Sequence, residues 1–588
     1  MKNFISILLL FCALNVLAQG EANFWFFGKN AGINFNSGNP IAISGSNLNT
    51  NEGCSSFSDK NGNLLFYSDG TTVWDKTNTP MPNGNGTLKG HPSSTQSAII
   101  VPHPQKNNLY FIFTVGTEWQ TDDGTPIPSS GLNSYVVDMT LNGSLGDISG
   151  SSKDLSDGFN TNWSEKVASV KGAECNTFWI ISLVQNTYYS YKVDINGLNP
   201  TPVKSVVNYF SGDRRGYLKI SPDGKKIASA TFTQGTVNGN NVIGNGKLHL
   251  YSFNDVTGEV LNDGIEIISN AELDGAPYGI EFSPNSTKLY TSTFDGSYNK
   301  LIQFDLESAN IAASKSLVNS QIGYRGALQL APNGKIYATV PVSYFIGTKY
   351  LNVIKSPNEQ VSESNFQLNA LNLGTGYAMQ GLPPFIASLL LPIEITSVEN
   401  NNQIITNQKI KLCVGSNYTF NTEFIPGHPD YSWTHQNIEI NNEINNTPTL
   451  TLTNIQTSDN GIYKLEVNLI DDCGFPIIYK GNFEVEVFYP PVISTTFIYD
   501  QCDIDDDSTD GITLFNLSTR IEEITQNDPD LEVFFFLTQA DLDANNAITQ
   551  IDSYTSASNP NLLVKLVNNR SGCFYNRENG IKRIPYQS

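Results

Sequence analysis

The residues able to do chemistry are few and scattered along the chain. Glycoside cleavage needs two carboxyl groups at a suitable separation. Glu52, Glu165, Glu174 and Glu281 are candidate acids, and Arg214, Arg215 and Arg325 are the arginines before residue 391. Their spacing brings no two acids together, and solvated or structural carboxylates are the simpler account. The five histidines, His91, His103, His249, His428 and His435, form neither an HExxH motif nor any short metal-ligand spacing. Gly-rich phosphate loops, GxSxG elbows and kinase signatures do not occur. One run resembles a hard-cation site: Asp503, Asp505 and Asp507, followed by Asp510, alternate as in the first half of an EF-hand loop. Ser508 stands where that loop needs Gly, and Leu514 where a closing acid should be, so the readings are a Ca²⁺ site or a solvated acidic turn. Trp74, Trp119, Trp163 and Trp179 are candidates for a carbohydrate platform, since a ring face stacks on a sugar face; the alternative is that they fill gaps between sheets. The expectation is a chain without catalytic machinery and with no cofactor beyond that Ca²⁺.

The 588 residues suggest about four domains. With 34 Lys+Arg against 56 Asp+Glu and a net charge of −22, the composition argues against nucleic acid as a partner. Hydrophobic residues at 39% and aromatics at 11% suffice for packed cores, which argues against global disorder. Residues 1–18 read as a secretory signal: Lys2 gives the positive start, Phe4 to Val16 is mostly apolar, and Val16-Leu17-Ala18 leads to a mature start at Gln19. Cys12 lacks the small preceding residue of a lipobox, and no later stretch approaches the ~18 unbroken apolar residues of a membrane span. The expected location is the medium or the outer cell surface. Outside the signal remain six cysteines, and in an oxidising compartment disulfides are the default. Grouping by segment pairs Cys413 with Cys473 and Cys502 with Cys573, leaving Cys54 for Cys175.

An internal repeat organises the first two-thirds of the chain. Each copy is a Gly, Asn or Asp-rich turn followed by an aromatic or β-branched run, as in Ser221-Pro222-Asp223-Gly224, Ser283-Pro284-Asn285-Ser286 and Ala331-Pro332-Asn333-Gly334. The first apolar residues, Leu65, Leu109, Phe178, Ile227, Leu289 and Ile336, are 44, 69, 49, 62 and 47 apart, and Phe24 lies 41 before Leu65. Small sheets at that spacing read as blades that pack on their neighbours until the ring closes, so residues 19–391 are expected to form a seven-bladed β-propeller. A β-sandwich pair or parallel β-helix is the alternative. The tetrapeptides are turns by mechanism: Pro fixes φ, and Gly or Asn accepts the left-handed conformation.

These residues also resemble a family, the secreted surface propellers exported by the type IX secretion system, some of them associated with gliding motility. The resemblance is carried by Phe24-Trp25-Phe26-Phe27-Gly28, Ala31-Gly32-Ile33-Asn34-Phe35, Asn51-Glu52-Gly53-Cys54, Tyr67-Ser68-Asp69-Gly70, Val73-Trp74, Ser94-Thr95-Gln96-Ser97-Ala98 and Gln380-Gly381-Leu382-Pro383-Pro384-Phe385. It implies location and architecture, because members of that family largely lack an assigned activity.

After a linker from Pro392 to about Asn402, residues 403–489 resemble an Ig-like or PKD-like β-sandwich. Cys413 corresponds to the strand-B cysteine, Trp433 to the core tryptophan and Tyr463 to the tyrosine corner. Leu465 stands where the second cysteine would sit, so a bridge to Cys473 would be displaced. Tyr489-Pro490-Pro491 marks the next boundary, and residues 492–588 are expected to form a mostly-β module framed by Cys502 and Cys573. Two short helices are expected there from Thr519 with Glu522 and Thr538 with Asp541. This module resembles one found in tandem in the same exported proteins, where a sorting domain usually follows. Ending at Ser588, the sequence is either truncated or retained at the surface by other means. The all-β, three-part chain is thus expected to be a non-catalytic adhesion or binding protein recognising glycan or a cell-surface protein through the propeller. The alternatives are a propeller glycoside hydrolase and a purely structural surface or gliding-motility component.

Overall fold

The computed structural model describes residues 20–584, apart from 38, 118, 121–125, 128–129, 210–212, 238–239, 244–245, 270–274, 391–392, 400–401, 407, 423–424, 426–428, 437, 441–446, 471–475, 493–497, 503–511 and 557–560. It is all-β, with many small sheets and few helical residues. The chain divides into two compact units, one built on residues up to Ile393 and the other on Glu394 onward, with 425–430 and 467–480 counted in the first.

In the first unit the repeated runs form the second strands of successive antiparallel sheets: Leu64–Ser68, Leu109–Val115, Phe178–Val184, Lys226–Thr231, Lys288–Phe294 and Ile336–Ala338. The tetrapeptides before the last three are tight turns. Gly224 N donates to Ser221 O at 2.8 Å, and Ser286 and Gly334 repeat that bond at 2.9 Å with φ of +61° and +71°. Each turn brings the second strand back beside a first strand. The first strands, in chain order, are Phe24–Phe27, Ser55–Ser58, Ala98–Pro102, Ala168–Lys171, Leu218–Ile220, Ala276–Phe282 and Leu328–Leu330. Each first strand packs against the next one in this order. The last sheet also meets the first, because Tyr337 sets its ring edge on Trp25 at 5.8 Å.

Residues of the first strands Ala98–Pro102, Ala168–Lys171, Leu218–Ile220, Ala276–Phe282 and Leu328–Leu330 converge on a common centre, which residues of the segment 380–390 also line. Gln380 N donates to Asn51 O at 3.0 Å, and Gln380 O accepts from Ala327 N at 2.8 Å. Phe385 lies 5.8 Å from Trp25, Ile386 packs in the cluster of Ile99, Val167 and Ile180, and Ser388 Oγ accepts from Lys171 N at 3.0 Å. A Cβ added at Gly381 would come within 1.8 Å of Glu52 O, so only glycine allows this approach.

In the second unit, one sheet holds Ile395–Ser397, Gln403–Ile404, Tyr418–Thr422 and Thr449–Leu452. A second holds Lys409–Cys413, Pro476–Phe488, Gly461–Ile470, Asp430–His435 and Ile438–Glu439. Phe420 of one meets Phe483 of the other at 4.5 Å, over a core that includes Trp433 and Leu465. Tyr463 Oη donates to Asp459 O at 3.2 Å, the corner expected from the sequence. A further sheet joins Ile498–Cys502, Phe574–Ile584, Asn561–Asn568 and Leu531–Phe536. Two short helices, Ile521–Thr525 and Gln539–Asp543, accompany it. Thr538 caps the second helix through Asp541 N as expected. Ahead of the first helix the capping side chain is Asn516, on the turn Leu517–Arg520, and Thr519 instead donates to Asn516 O.

The cysteine pairing differs from the expectation. Cys413 bonds Cys573, neither Cys473 nor Cys502 taking part, and Cys54 is a buried free thiol that does not pair with Cys175. Cys175 is itself disulfide-bonded. Grouping by segment failed because Cys413 is not an inter-sheet residue. It ends an outer strand that runs parallel to Glu484–Phe488, with its sulfur turned to the C-terminal module. The buried Leu465 occupies the core position instead. Cys473 lies outside the described residues, as does the side chain of Cys502.

Candidate binding face and the buried charged centre

Most of the ionisable residues at the centre stand just before a first strand, so the sheet succession delivers them to one end of it. Arg325, preceding Leu328–Leu330, places Nη2 2.6 Å from Glu52 Oε1 and donates from Nε to Gln380 Oε1 at 2.7 Å. Its guanidinium lies 4.3 Å from the Phe232 ring and 4.5 Å from the Tyr278 ring. Glu165 accepts from Thr95 N and Oγ1 at 3.1 Å and from Thr117 Oγ1 at 2.7 Å. Lys166 Nζ donates to the carbonyls of Arg214 and Arg215 at 2.8 and 2.9 Å, and Arg215 is gripped by both oxygens of Asp213.

The Glu52 and Arg325 side chains are only 2% and 3% exposed. Burial pushes the Glu52 carboxyl up to about 7, against the pull of Arg325 and with a further push from nearby Glu165. Burial takes the Lys166 ammonium down to about 8. Among the described residues Arg325 Nη1, Gln380 Nε2 and the Tyr278 hydroxyl have no hydrogen-bond partner. Deeper in the centre, Lys219 Nζ bonds Glu281 Oε2 at 2.8 Å and Gln329 Oε1 at 2.5 Å, while Glu281 also accepts from Leu330 N at 2.9 Å. A small cavity there is lined by Lys219, Glu281, Gln329 and the inserted Pro384 and Phe385. The arrangement pairs Arg325 with Glu52 and Arg215 with Asp213 within the protein.

The loop between Ile336–Ala338 and Tyr350–Ile354 reaches over Glu52. Tyr344 Oη shares a hydrogen bond with Ser93 Oγ at 2.7 Å, and burial followed by the Glu52 charge pushes this phenol up to about 12. The neighbours of Tyr344 point the other way: Val342, Phe345 and Ile346 are 63%, 69% and 59% exposed. Lys29 Nζ donates to Phe345 O at 2.9 Å, and the adjoining Lys349 lies 5.4 Å over the exposed Tyr377 ring. On the other flank, a Cβ at Gly323 would touch Val340, and the next residue back, Ile322, pairs with Tyr298; both are exposed.

Of the candidate acids, Glu52 and Glu165 come together near Arg325 and Arg215, which spacing did not reveal. Glu281 belongs to the deeper Lys219 pair. Glu174 is elsewhere, on Lys192, and Arg214 turns away to donate to Thr161 O at 2.6 Å. The tryptophan platform is corrected: Trp74, Trp163 and Trp179 are buried. Trp74 stacks on Tyr67 at 5.3 Å, Trp163 donates to Ser182 Oγ at 2.8 Å, and Trp179 donates to Asp255 O at 2.8 Å. Burying an indole's large apolar area between sheets outweighs displaying it. The Trp119 side chain and Asp503, Asp505, Asp507 and Asp510 lie outside the described residues. Among the described residues no group of three or more His, Cys, Asp or Glu could hold a metal, and no helix is long and apolar enough to cross a membrane. Sequence reasoning missed Gln380, Phe232 and Tyr278 at the centre and the exposed 342–346 loop. The Gln380–Phe385 motif was the one available signal for the first of these.

Residues 498–582 match the family described as the Flavobacterium inter-domain disulphide bond domain. The Cys413–Cys573 bond joins this module to the preceding pair of sheets. No curated protein sequence matches the chain. Among solved structures, a functionally unknown protein from Desulfotomaculum acetoxidans is 15% identical, with 62% of this chain and 100% of that one covered and a TM-score of 0.35. A putative 6-phosphogluconolactonase from Bacteroides uniformis is 13% identical over 56% and 98% of the two chains, with a TM-score of 0.30. TolB from Acinetobacter baumannii is 12% identical over 54% and 62%, at 0.28.

Proposed function

We propose that the protein is an exported, surface-located, non-catalytic binding protein: a seven-bladed β-propeller that recognises glycan or protein, followed by an Ig-like sandwich and a disulfide-locked C-terminal module. The blade count follows the first strands, each packed on the next and the last sheet closing on Trp25. The surface location is supported by the matched C-terminal family and the apolar, Lys-headed start of the sequence.

One observation carries the binding reading. The centre, where a propeller enzyme would gather its acids, is filled by residues 380–390, and Glu52 and Glu281 are paired with Arg325 and Lys219, while the loop above it exposes Val342, Phe345 and Ile346. Binding arrays of surface glycans and proteins should return a partner whose affinity falls at least about tenfold in Phe345→Ser with Ile346→Ser, at unchanged melting temperature. Retention of all binding by this variant would refute the reading. The hydrolase alternative has one point in its favour, the Glu52 carboxyl held at about 7 beside Glu165. Turnover on a glycoside panel that disappears in Glu52→Gln would favour it instead.

A further inference from the structure

We infer that the exposed 342–350 loop, with Lys29, Tyr377 and the Tyr298–Ile322 pair beside it, is a docking surface for an acidic polysaccharide. This deepens the binding reading and rests on it.

The argument begins with charge. The chain carries 56 acids, yet residues 308–358 contain none, and Lys349 stands in the loop itself; Arg325 of the same stretch is buried on Glu52, and Lys335 and Lys355 lie at the other end of the strands Ile336–Ala338 and Tyr350–Ile354. Residues 22–51 contain Lys29 and no acid, and 364–393 contain no charged residue at all. These three stretches supply the loop, its Lys29 anchor and the Tyr377 segment, which meet through the Lys29 bond to Phe345 O and the approach of Gly347 to Tyr377 and Ala378. The flanking Lys300 is matched by Asp295 at 3.0 Å and adds no net charge. A molecule of net charge −22 repels a polyanion over most of its surface, so these acid-free stretches are where one can approach.

The second element is shape and chemistry. Tyr298, Phe345, Tyr350 and Tyr377 are exposed rings, and Val342 and Ile346 are exposed aliphatic side chains between them. Ring faces stack on the C–H faces of pyranose sugars, and the lysine ammonium groups are placed to meet carboxylate or sulfate along the same polymer. An acidic protein would also answer the charge, but four exposed rings, whose faces stack on sugar C–H faces, fit a sugar polymer better.

The test uses the mature full-length protein with four probes: polygalacturonate, dextran sulfate, uncharged dextran and poly-L-glutamate, each at low and high salt. Binding to polygalacturonate or dextran sulfate is expected, weaker at high salt and about tenfold or more weaker in Lys349→Gln and in Phe345→Ser, whose melting temperatures should match the parent. Which of the two binds distinguishes a uronate from a sulfated source. Equal binding of poly-L-glutamate would overturn the inference in favour of an acidic protein. Binding of uncharged dextran alone would overturn it while leaving the broader binding reading standing. Failure of both anionic polymers would also overturn it, and the broader reading would then depend on the separate arrays.

Discussion

The two units are closed by different means. In the first, the meeting of the last sheet with the earlier ones is held by side chains: Arg325 beside Leu328–Leu330 grips Glu52 from the approach to Ser55–Ser58 and Gln380 from the inserted segment. In the second, two small sheet modules are joined by a covalent bond, Cys413–Cys573, across a sequence separation of 160. The difference follows from core size. The first unit buries one large connected cluster from Trp25 through Tyr337, and the Glu52 and Arg325 side chains of its polar lock are buried too. The C-terminal module has a small cluster around Phe515, Phe535 and Leu566, and an exposed ion pair such as Arg570 with Asp530 contributes little to holding it in place.

The largest test removes the lock. Arg325→Ala leaves Glu52 buried without its cation and should cost the first unit roughly 3–5 kcal/mol in chemical denaturation. Glu52→Leu with Arg325→Met should recover most of that loss. A change below about 0.5 kcal/mol for the single variant would mean that packing alone holds the last sheet to the earlier ones.

Next comes the staple. Loop-closure entropy for a separation of 160 gives about 5 kcal/mol, at the upper end of the ~2–5 kcal/mol found for native bridges. Cys413→Ser with Cys573→Ser should therefore lower the calorimetric transition of the second unit and leave that of the first in place. Movement of the first transition instead would break the contrast.

The smallest effect concerns an acid of the first unit on which burial outweighs the pull of Lys480 and Lys60. Burial, with a further push from Asp59, raises Glu21 to about 7, and its Oε2 lacks a hydrogen-bond partner among the described residues. The folded chain holds this proton more tightly than the unfolded chain does. Its contribution is therefore complete below about 4.5 and is lost as pH rises from there to about 7. Glu21→Gln should raise stability by about 1–3 kcal/mol at pH 8 and have little effect at pH 4.5, read from melts at the two pH values. Glu52 pushes the parent in the same direction, so the parent itself should melt lower at pH 8 than at pH 5.

Much of the fold was legible because its signals are local. A Ser-Pro-Asp-Gly turn fixes its own backbone, and the apolar and small residues after Gly224 form a strand buried from Ile227 to Thr231. Tyr463 was readable for the same reason, since its partner Asp459 is four residues away. The candidate site was not legible. Glu52 and Arg325 are 273 residues apart and Lys219 and Gln329 are 110 apart, and no spacing rule spans such distances. Cys413 misled because a cysteine near a core tryptophan resembles an inter-sheet residue, whereas the strand carrying it lies at a sheet edge. The tryptophans misled in the opposite direction, as flat rings that suit a sugar also suit the space between sheets.

By itself, then, the sequence determined the acidic all-β character, the repeated turns and strands, and the supply of carboxylates, arginines and cysteines, all properties that a few neighbouring residues control. Only the tertiary structure decided that Gln380–Leu390 fills the centre, that Glu52 meets Arg325, that Cys413 meets Cys573, and that Phe345 faces water. Those outcomes depend on closing loops of tens to hundreds of residues, where the partner is chosen by the packing of the whole sheet succession rather than by any local preference.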